Sequence, residues 1–499
     1  MLELFNSIKL DKDTDTPLYL QLYDKIKEMI ISGTLVPDFR LPSIRRLSAV
    51  LKVNQVTVVN AFKRLESEGY VYSKPGSGFY TSNIVPALNK GTADSPLMLD
   101  ELYQQDDIAL INSGQVKIGE NTINFASATP TPELFPVEDF KVVLNEVLDR
   151  DKGNAFGYQE SQGFFPLRES IAGILCKRGI KCSPENIQII SGAQQGIDII
   201  SKALLKQGNC VITESPTYTG AIAVFRSRDA RIIDVEMGED GPNLNILEYN
   251  LKKCRPAFIY TIPSFQNPTS YSYSNEKRAD LLKLADRYGI YVIEDDYVSD
   301  LDFEGRNYIP LKAMDKWDRV VFIKSFSKIF MPGLRLGFMI VPSRLQENIV
   351  EAKQTTDIST SALIQRAFDL YIRKGFWDKH FNFMYGIYRE RYDKMTETLD
   401  MHLPGGFRYH KPGGGLNIWL SLPYGFPVNT LFTQASANDI VFAPGRIFYS
   451  SNSLQKLNNI RLSFASLYTG QIDEGVRKLC SMMGILQSRG QPHSSMPVL

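Results

Sequence analysis

The sequence predicts two folds on one chain. The first is a small N-terminal α+β winged helix-turn-helix, and the second is a large α/β domain with a smaller α/β subdomain toward the C-terminus. Three observations carry this. At 499 residues the chain exceeds the size at which a single core stops growing. Apolar residues recur at helical spacing up to Leu65 and then give way to two short strand patterns flanking Pro75-Gly76. From Asn124 onward apolar strands alternate with helical segments, the pattern of a mainly parallel sheet.

Composition narrows the class. Hydrophobic residues make up 43% and charged residues 22%, ordinary for a globular protein. A net charge of +1 gives no global field toward nucleic acid, so any basic surface must be local. Cys176, Cys182, Cys210, Cys254 and Cys480 are odd in number and lack CxxC spacing, which reads as reduced thiols in the cytoplasm with no metal site. No apolar run approaches the ~20 residues of a membrane span, and Met1 to Leu10 lacks signal-peptide features.

In the head, Pro17 opens an amphipathic helix with Leu18, Leu22, Ile26, Met29 and Ile30 on one face, closed by Gly33. A second helix follows Pro42 and turns Leu47, Val50 and Leu51 inward. Asn54 caps a third, with the stripe Val58, Ala61, Phe62 and Leu65, ending at Gly69. Tyr70 to Tyr72 and Phe79 to Thr81, joined through Pro75-Gly76, read as a two-strand hairpin, the wing. From Arg40 to Arg64 there are six basic residues and no acidic one, whereas Asp38, Glu66 and Glu68 flank the stretch. That places a basic face around the second and third helices, where phosphates and base edges are met. Gln55 and Thr57 are short polar side chains suited to a groove.

The run from Pro17 to Thr81, with its LPSxR turn at Leu41 to Arg45, resembles the DNA-binding domain of the GntR family of bacterial transcription regulators. The resemblance implies that Arg45 touches the DNA backbone or a guanine, that the third-helix start contacts bases, and that the wing glycine, Gly76, approaches the minor groove. The DNA-binding set expected here is Arg45, Arg46, Asn54, Gln55, Thr57, Lys63 and Gly76. The family often carries arginines where Asn54, Gln55 and Thr57 stand, so base preference does not transfer.

Residues 83–119 lose periodicity and are acidic, with Asp94, Asp100, Glu101, Asp106 and Asp107 against Lys90 and Lys117, as expected of a flexible linker with one short helix at Leu97 to Gln104. The body is expected over residues 120–486, with a disordered tail at 487–499.

In the body, the informative residues sit where strands end. Arg319 to Ile323 reads as a buried strand leading to Ser325-Phe326-Ser327-Lys328, and Pro332-Gly333 leads through Arg335 into a second strand, Leu336 to Val341. A lysine on a serine-rich turn with an arginine one loop away suits a Schiff base to an aldehyde whose phosphate needs hydroxyls and a guanidinium: pyridoxal 5′-phosphate. Ile187 to Ile190 runs into Ser191, Gly192, Ala193 and Gln194, a small-residue turn opening a helix at Ile197 and suited to phosphate. Val211 to Thr213 precedes Tyr218, Ala257 to Ile262 precedes Asn267-Pro268, and Ile290 to Glu294 precedes Asp295-Asp296-Tyr297. Taken singly, such motifs are usually turns, surface or core. In this order, each at a strand's C-terminal end, they converge on the crevice where open α/β sheets bind ligands.

The expected roles follow from the chemistry. Asp295 keeps the pyridine nitrogen protonated, and Asn267 and Tyr297 bond the phenolic oxygen. Tyr218 stacks on the ring, Lys328 carries the aldehyde as an internal aldimine, and Ser191, Ala193, Gln194, Ser325 and Arg335 hold the phosphate. Lys328, Asp295 and Tyr218 form the catalytic set, and Lys328 must be neutral to attack.

From Asn124 to Gly484 this arrangement resembles fold type I aminotransferases. The resemblance implies that Tyr158, in the segment Tyr158 to Arg168, reaches a phosphate across a dimer. It also implies that Pro412-Gly413-Gly414-Gly415, with the strand Leu416 to Leu420, opens the small domain, and that Arg461 grips a substrate α-carboxylate. A distal carboxylate finds no immediate second arginine near Gly220, and Arg226 and Arg228 are the nearest candidates in sequence. Head and body together resemble MocR-type regulators. That implies a homodimeric transcription factor that binds promoter DNA and pyridoxal phosphate and senses an amine, an amino acid or a vitamin B6 form. The alternative is an active aminotransferase with a DNA-binding head; a DNA-binding protein with a dead cofactor pocket ranks last.

Overall fold

The computed structural model describes residues 5, 8, 10, 17–31, 35, 39–51, 53–67, 70–74, 78–81, 119, 121–450 and 458–490. The chain divides into two compact units, Met1–Leu97 and Met98–Leu499.

In the first unit, helix α1 (Leu18–Ile31) buries Leu22, Tyr23, Ile26 and Ile30, while Leu18 and Met29 stay half-buried at the rim of the stripe. Helix α2 (Ile44–Leu51) contributes Leu47, with Val50 and Leu51 half-buried. Helix α3 (Gln55–Ser67) turns Val58, Ala61, Phe62 and Leu65 inward, so three short amphipathic helices close one core. Asn54 accepts the Val56 N–H at 3.0 Å and caps α3. Strands β1 (Val71–Lys74) and β2 (Gly78–Thr81) pair antiparallel with Val71 opposite Thr81. The wing is broader than a two-strand hairpin. Arg40 bridges Tyr80, Leu41 N–H donates to Phe79 O at 2.9 Å, and Thr81 N–H donates to Phe39 O at 3.0 Å, so the chain entering α2 lies along β2. Gly33, Lys52, Gly69, Gly76 and the expected helix at Leu97 to Gln104 lie outside the described residues, as does the rest of the linker short of Gly119.

The second unit opens on a short strand, β3 (Ile123–Asn124). Its main sheet comprises β4 (Ile187–Ile190), β5 (Cys210–Ser215), β6 (Arg231–Gly238), β7 (Gly241–Pro242), β8 (Phe258–Thr261), β9 (Tyr291–Asp296), β10 (Val320–Ser325) and β11 (Gly337–Ile340). Their order is β4-β11-β10-β9-β8-β5-β6-β7. From β10 through β9, β8 and β5 to β6 every pair is parallel, whereas β11 runs antiparallel to both β10 and β4. The expectation of a mainly parallel sheet did not include this reversal. Only a single 3-10 turn, Pro332–Leu334, intervenes between β10 and β11, too short for the crossover that a parallel return needs. The helix after β4 begins at Ala193 rather than Ile197, because Gly192, at φ +85°, ends the strand at once.

The smaller sheet is built from β12 (Arg408–Tyr409), β13 (Asn417–Ser421), β15 (Ala443–Pro444) and β16 (Asn459–Ser463), in the order β12-β13-β16-β15. Beside it β14 (Ile440–Val441) runs parallel to β3, tying the start of the body to its C-terminal subdomain. The final helix, Thr469–Gly490, continues past residue 486, which corrects the expected tail at 487–499 over its first residues. Ile472, Val476, Leu479, Met483 and Leu486 are buried along one side, and that stripe carries the helix on.

Candidate functional site

A cavity of about 450 Å³ lies beyond the C-terminal ends of the parallel strands. Its walls bring together Ala193, Gln194, Tyr218, Asn267, Asp295, Tyr297, Ser325, Lys328 and Arg335. Five separate segments supply these residues, which alternating strand and helix delivers to one edge of the sheet. Ser127, Ala128, Thr129, Ile262, Asp296, Ser327 and Pro332 complete the lining.

The turn carrying Lys328 is anchored from below. Phe326 packs its ring against Phe368 at 4.6 Å and Trp377 at 5.2 Å, and Tyr388 Oη donates to Lys328 O at 2.8 Å. Ser325 Oγ accepts the Ser327 N–H at 3.2 Å, which tightens the same turn. Lys328 Nζ stands 5.8 Å from the centre of the Tyr297 ring.

Two adjacent carboxylates at the end of β9 point to opposite fates, as strand alternation requires. Asp295 is buried and accepts the Tyr260 hydroxyl at 2.6 Å. Burial pushes its pKa up to about 6, against the pull of that hydrogen bond. Asp296 instead meets Lys324 at 3.0 Å and Arg178 at 3.0 Å, and Asp300 bridges the same two cations at 2.5 and 3.1 Å. Burial alone would raise Asp296, but these cations hold it well below the usual carboxylate range.

The loop bearing Asn267 is pinned by a buried carboxyl that sequence reasoning missed. Glu214, at the end of β5, accepts Thr261 Oγ1 at 2.5 Å, Ile262 N–H at 3.0 Å, Gln266 Nε2 at 2.8 Å and the Tyr273 hydroxyl. Gln266 in turn accepts the Thr269 N–H at 2.9 Å, so Asn267 lies inside the bracket. Burial raises Glu214 to about 7 from its ordinary 4.5. The folded state therefore favours the protonated carboxyl, a stabilisation fully present below the unfolded pKa and lost as pH rises through the folded one. Thermal melts between about pH 5 and pH 8 are expected to fall less steeply for Glu214→Gln than for the wild type. The difference is at most about 1.4 kcal/mol per pH unit; equal slopes would remove Glu214 from that titration.

Arg461 occupies β16 between β13 and β15 and is fully buried, not a surface residue on an edge strand. Its Nη1 donates to Asn267 Oδ1 at 3.0 Å, its Nη2 to Ala126 O at 2.5 Å, and its guanidinium lies 5.1 Å from the Phe448 ring centre. It stands behind Asn267 and does not itself line the cavity. Ser191 is also outside the walls. Its carbonyl accepts Arg335 Nη2 at 2.9 Å and its N–H donates to Gln195 Oε1 at 2.7 Å, so it orients the arginine. Tyr158 is 90% exposed and borders a separate hollow of about 290 Å³ with Phe156 and Thr360. Arg228 is paired with Asp198 at 2.7 Å, and Arg226 Nη2 donates to Ser450 O at 2.7 Å.

On the head, Arg45, Arg46, Asn54, Gln55 and Lys63 are exposed and Thr57 is half-buried. Arg64 folds back instead, 4.9 Å over the Tyr23 ring. Gly76 lies outside the described residues. Arg45→Ala is expected to weaken duplex binding about tenfold and lower the salt slope by about one. An unchanged gel shift would move the DNA face elsewhere.

Fold and cavity together define a pyridoxal-phosphate domain of aminotransferase type joined to a winged helix-turn-helix. The family described as aminotransferase class I and II matches residues 118–479, and that of bacterial regulatory proteins, gntR family, matches residues 18–81. The 2-aminoadipate transaminase of Thermus thermophilus is 36% identical over 72% of this chain and 89% of its own. The probable rhizopine catabolism regulatory protein MocR of Rhizobium meliloti is 28% identical over 96% of this chain and 97% of its own. A crystal structure of α-aminoadipate aminotransferase from Thermus thermophilus, complexed with N-(5′-phosphopyridoxyl)-L-leucine, superposes with a TM-score of 0.71 at 34% identity, covering 78% of this chain and 96% of that one. The chain belongs to the class I and II aminotransferase family, its head matches the gntR family, and over nearly its whole length it is similar to the regulatory protein MocR.

Pyridoxal 5′-phosphate is the cofactor of this body, and the residues present fit it. The cavity offers one lysine amine, a buried carboxylate and a ring at Tyr218. Space for an anion at Arg335 depends on Gly192, where a Cβ would sit 2.7 Å from the guanidinium. A Cβ at Gly220 would sit 2.6 Å from the Tyr218 ring, so glycine there keeps that ring in place.

Proposed function

We propose that the chain is a cytoplasmic bacterial transcription regulator. It binds a double-stranded operator as a homodimer and reads an amine, an amino acid or a vitamin B6 form in its cavity. The observation that carries this reading is the pairing, on one chain, of a basic-faced winged head with a body whose cavity gathers Lys328, Asp295 and Asn267 in front of a buried Arg461.

Bound pyridoxal phosphate supplies an aldehyde that a lysine amine can hold and a ring that accepts electrons. Lys328 would offer the amine, and the buried Asp295 would hold the ring nitrogen in its protonated form. Asn267 and Tyr297 would bond the phenolic oxygen, and Tyr218 would stack on the ring. Ala193, Gln194, Ser325 and Arg335 would hold the phosphate, with Ser191 orienting Arg335 and the Tyr158 of a second copy adding a hydroxyl. A ligand amine competes with the Lys328 amino group for one place, and its carboxylate is drawn to Arg461. Closure of the smaller subdomain then changes how the two heads span paired half-sites.

The test is to titrate candidate amines and amino acids into the purified, cofactor-loaded protein while recording its visible absorbance and its affinity for promoter DNA. A lasting spectral change accompanied by altered affinity is the expected result. Steady release of an oxo acid with DNA affinity unmoved would make the body an aminotransferase instead.

A further inference from the structure

Helix α3 of the head, the one expected to meet DNA, leads with an apolar side chain. Val56, in the first turn of α3, is 60% exposed, and among the described residues of the head no other large apolar side chain is as open. Its backbone N–H is held by Asn54 Oδ1 at 3.0 Å, which fixes the first turn from which the side chain projects. One and two turns further on, Asn60 and Lys63 are exposed on the same face, while Val58, Ala61 and Phe62 on the other are buried. Val56 therefore does not belong to the core.

A single valine rimmed by Asn54, Gln55 and Asn60 is too small a patch to seat a protein partner. It also has no donor or acceptor for a base edge. The apolar group that the major groove presents is the thymine C5 methyl. The acid-free basic stretch from Arg40 to Arg64 brings that groove to α3. We infer that Val56 reads a thymine methyl and fixes one A·T pair in each operator half-site. This rests on the operator-binding reading and adds to it a base and a position.

The experiment uses the full chain loaded with its cofactor. A preferred duplex is selected from a random-sequence pool, and each thymine is replaced in turn by deoxyuridine, which removes only the methyl. Wild type is expected to lose about fourfold in affinity at one position per half-site, the worth of one buried methyl. Val56→Ala should bind the thymine duplex about fourfold more weakly and show no further loss on deoxyuridine, so the two changes are fully coupled. Arg45→Ala should weaken both duplexes equally and keep the deoxyuridine sensitivity. The inference is overturned if wild type ignores every deoxyuridine, or if Val56→Ala stays as sensitive as wild type. A pool that enriches no sequence overturns the operator reading itself, and this inference with it.

Discussion

Lys328→Ala should abolish the visible absorbance of the cofactor-loaded protein outright while leaving a folded chain. The side chain is half-buried and projects into the cavity, whereas the turn that bears it is held by the Phe326 ring cluster and by Tyr388 Oη on the backbone carbonyl. Truncation at the β-carbon removes none of those supports. Absorbance at equal protein concentration, read beside the far-ultraviolet circular dichroism, separates loss of the amine from loss of the fold. A variant that keeps the band removes Lys328 from the site.

The second large effect belongs to Arg461. Hydrogen bonds to Asn267 and Ala126 and the nearby Phe448 ring fix the plane of its guanidinium. A carboxylate arriving near Asn267 would meet a planar fork that a lysine does not reproduce. Arg461→Lys is therefore expected to keep the bound cofactor and lose about 10- to 100-fold in response to an amino-acid effector, with little change for an amine lacking a carboxylate. The same substitution leaves a charge in place, so it avoids the buried orphan partners that Arg461→Ala would create. If both classes of effector keep their wild-type potency, the signal is pyridoxal phosphate itself or a ligand held elsewhere.

Where local pattern carries the information, the sequence reading and the structure meet. The three helices of the head are readable because each is a short amphipathic run between a cap or proline and a turn, and β4 matches its apolar run residue for residue. Lys328, Asp295, Asn267 and Tyr218 were legible because each follows an apolar run, and runs that alternate with helices deliver their ends to one edge. What escaped depends on register between distant strands. Tyr260 and Asp295 come together because β8 lies beside β9, and Glu214 meets Gln266 across β5 and β8. No periodicity announces either pair. Ser191, expected at the phosphate, lies outside the cavity wall and has its carbonyl on Arg335 Nη2, a pairing across distant segments that spacing does not announce. The antiparallel β11 was hidden because an apolar run does not state its direction.

That reversal of β11 has a mechanical consequence. Lys328 and Arg335 sit on the connection between two directly hydrogen-bonded strands, Ser325 opposite Gly337, whereas Arg461 hangs from the other sheet. The amine and the anion grip thus belong to a single rigid bend, and a swing of the smaller subdomain leaves their mutual spacing untouched while it carries Arg461 toward or away from both. If Lys328 and Arg335 hold the cofactor and Arg461 the effector, as proposed, cofactor retention and effector capture would be mechanically separable, and a ligand could be released without shedding the cofactor.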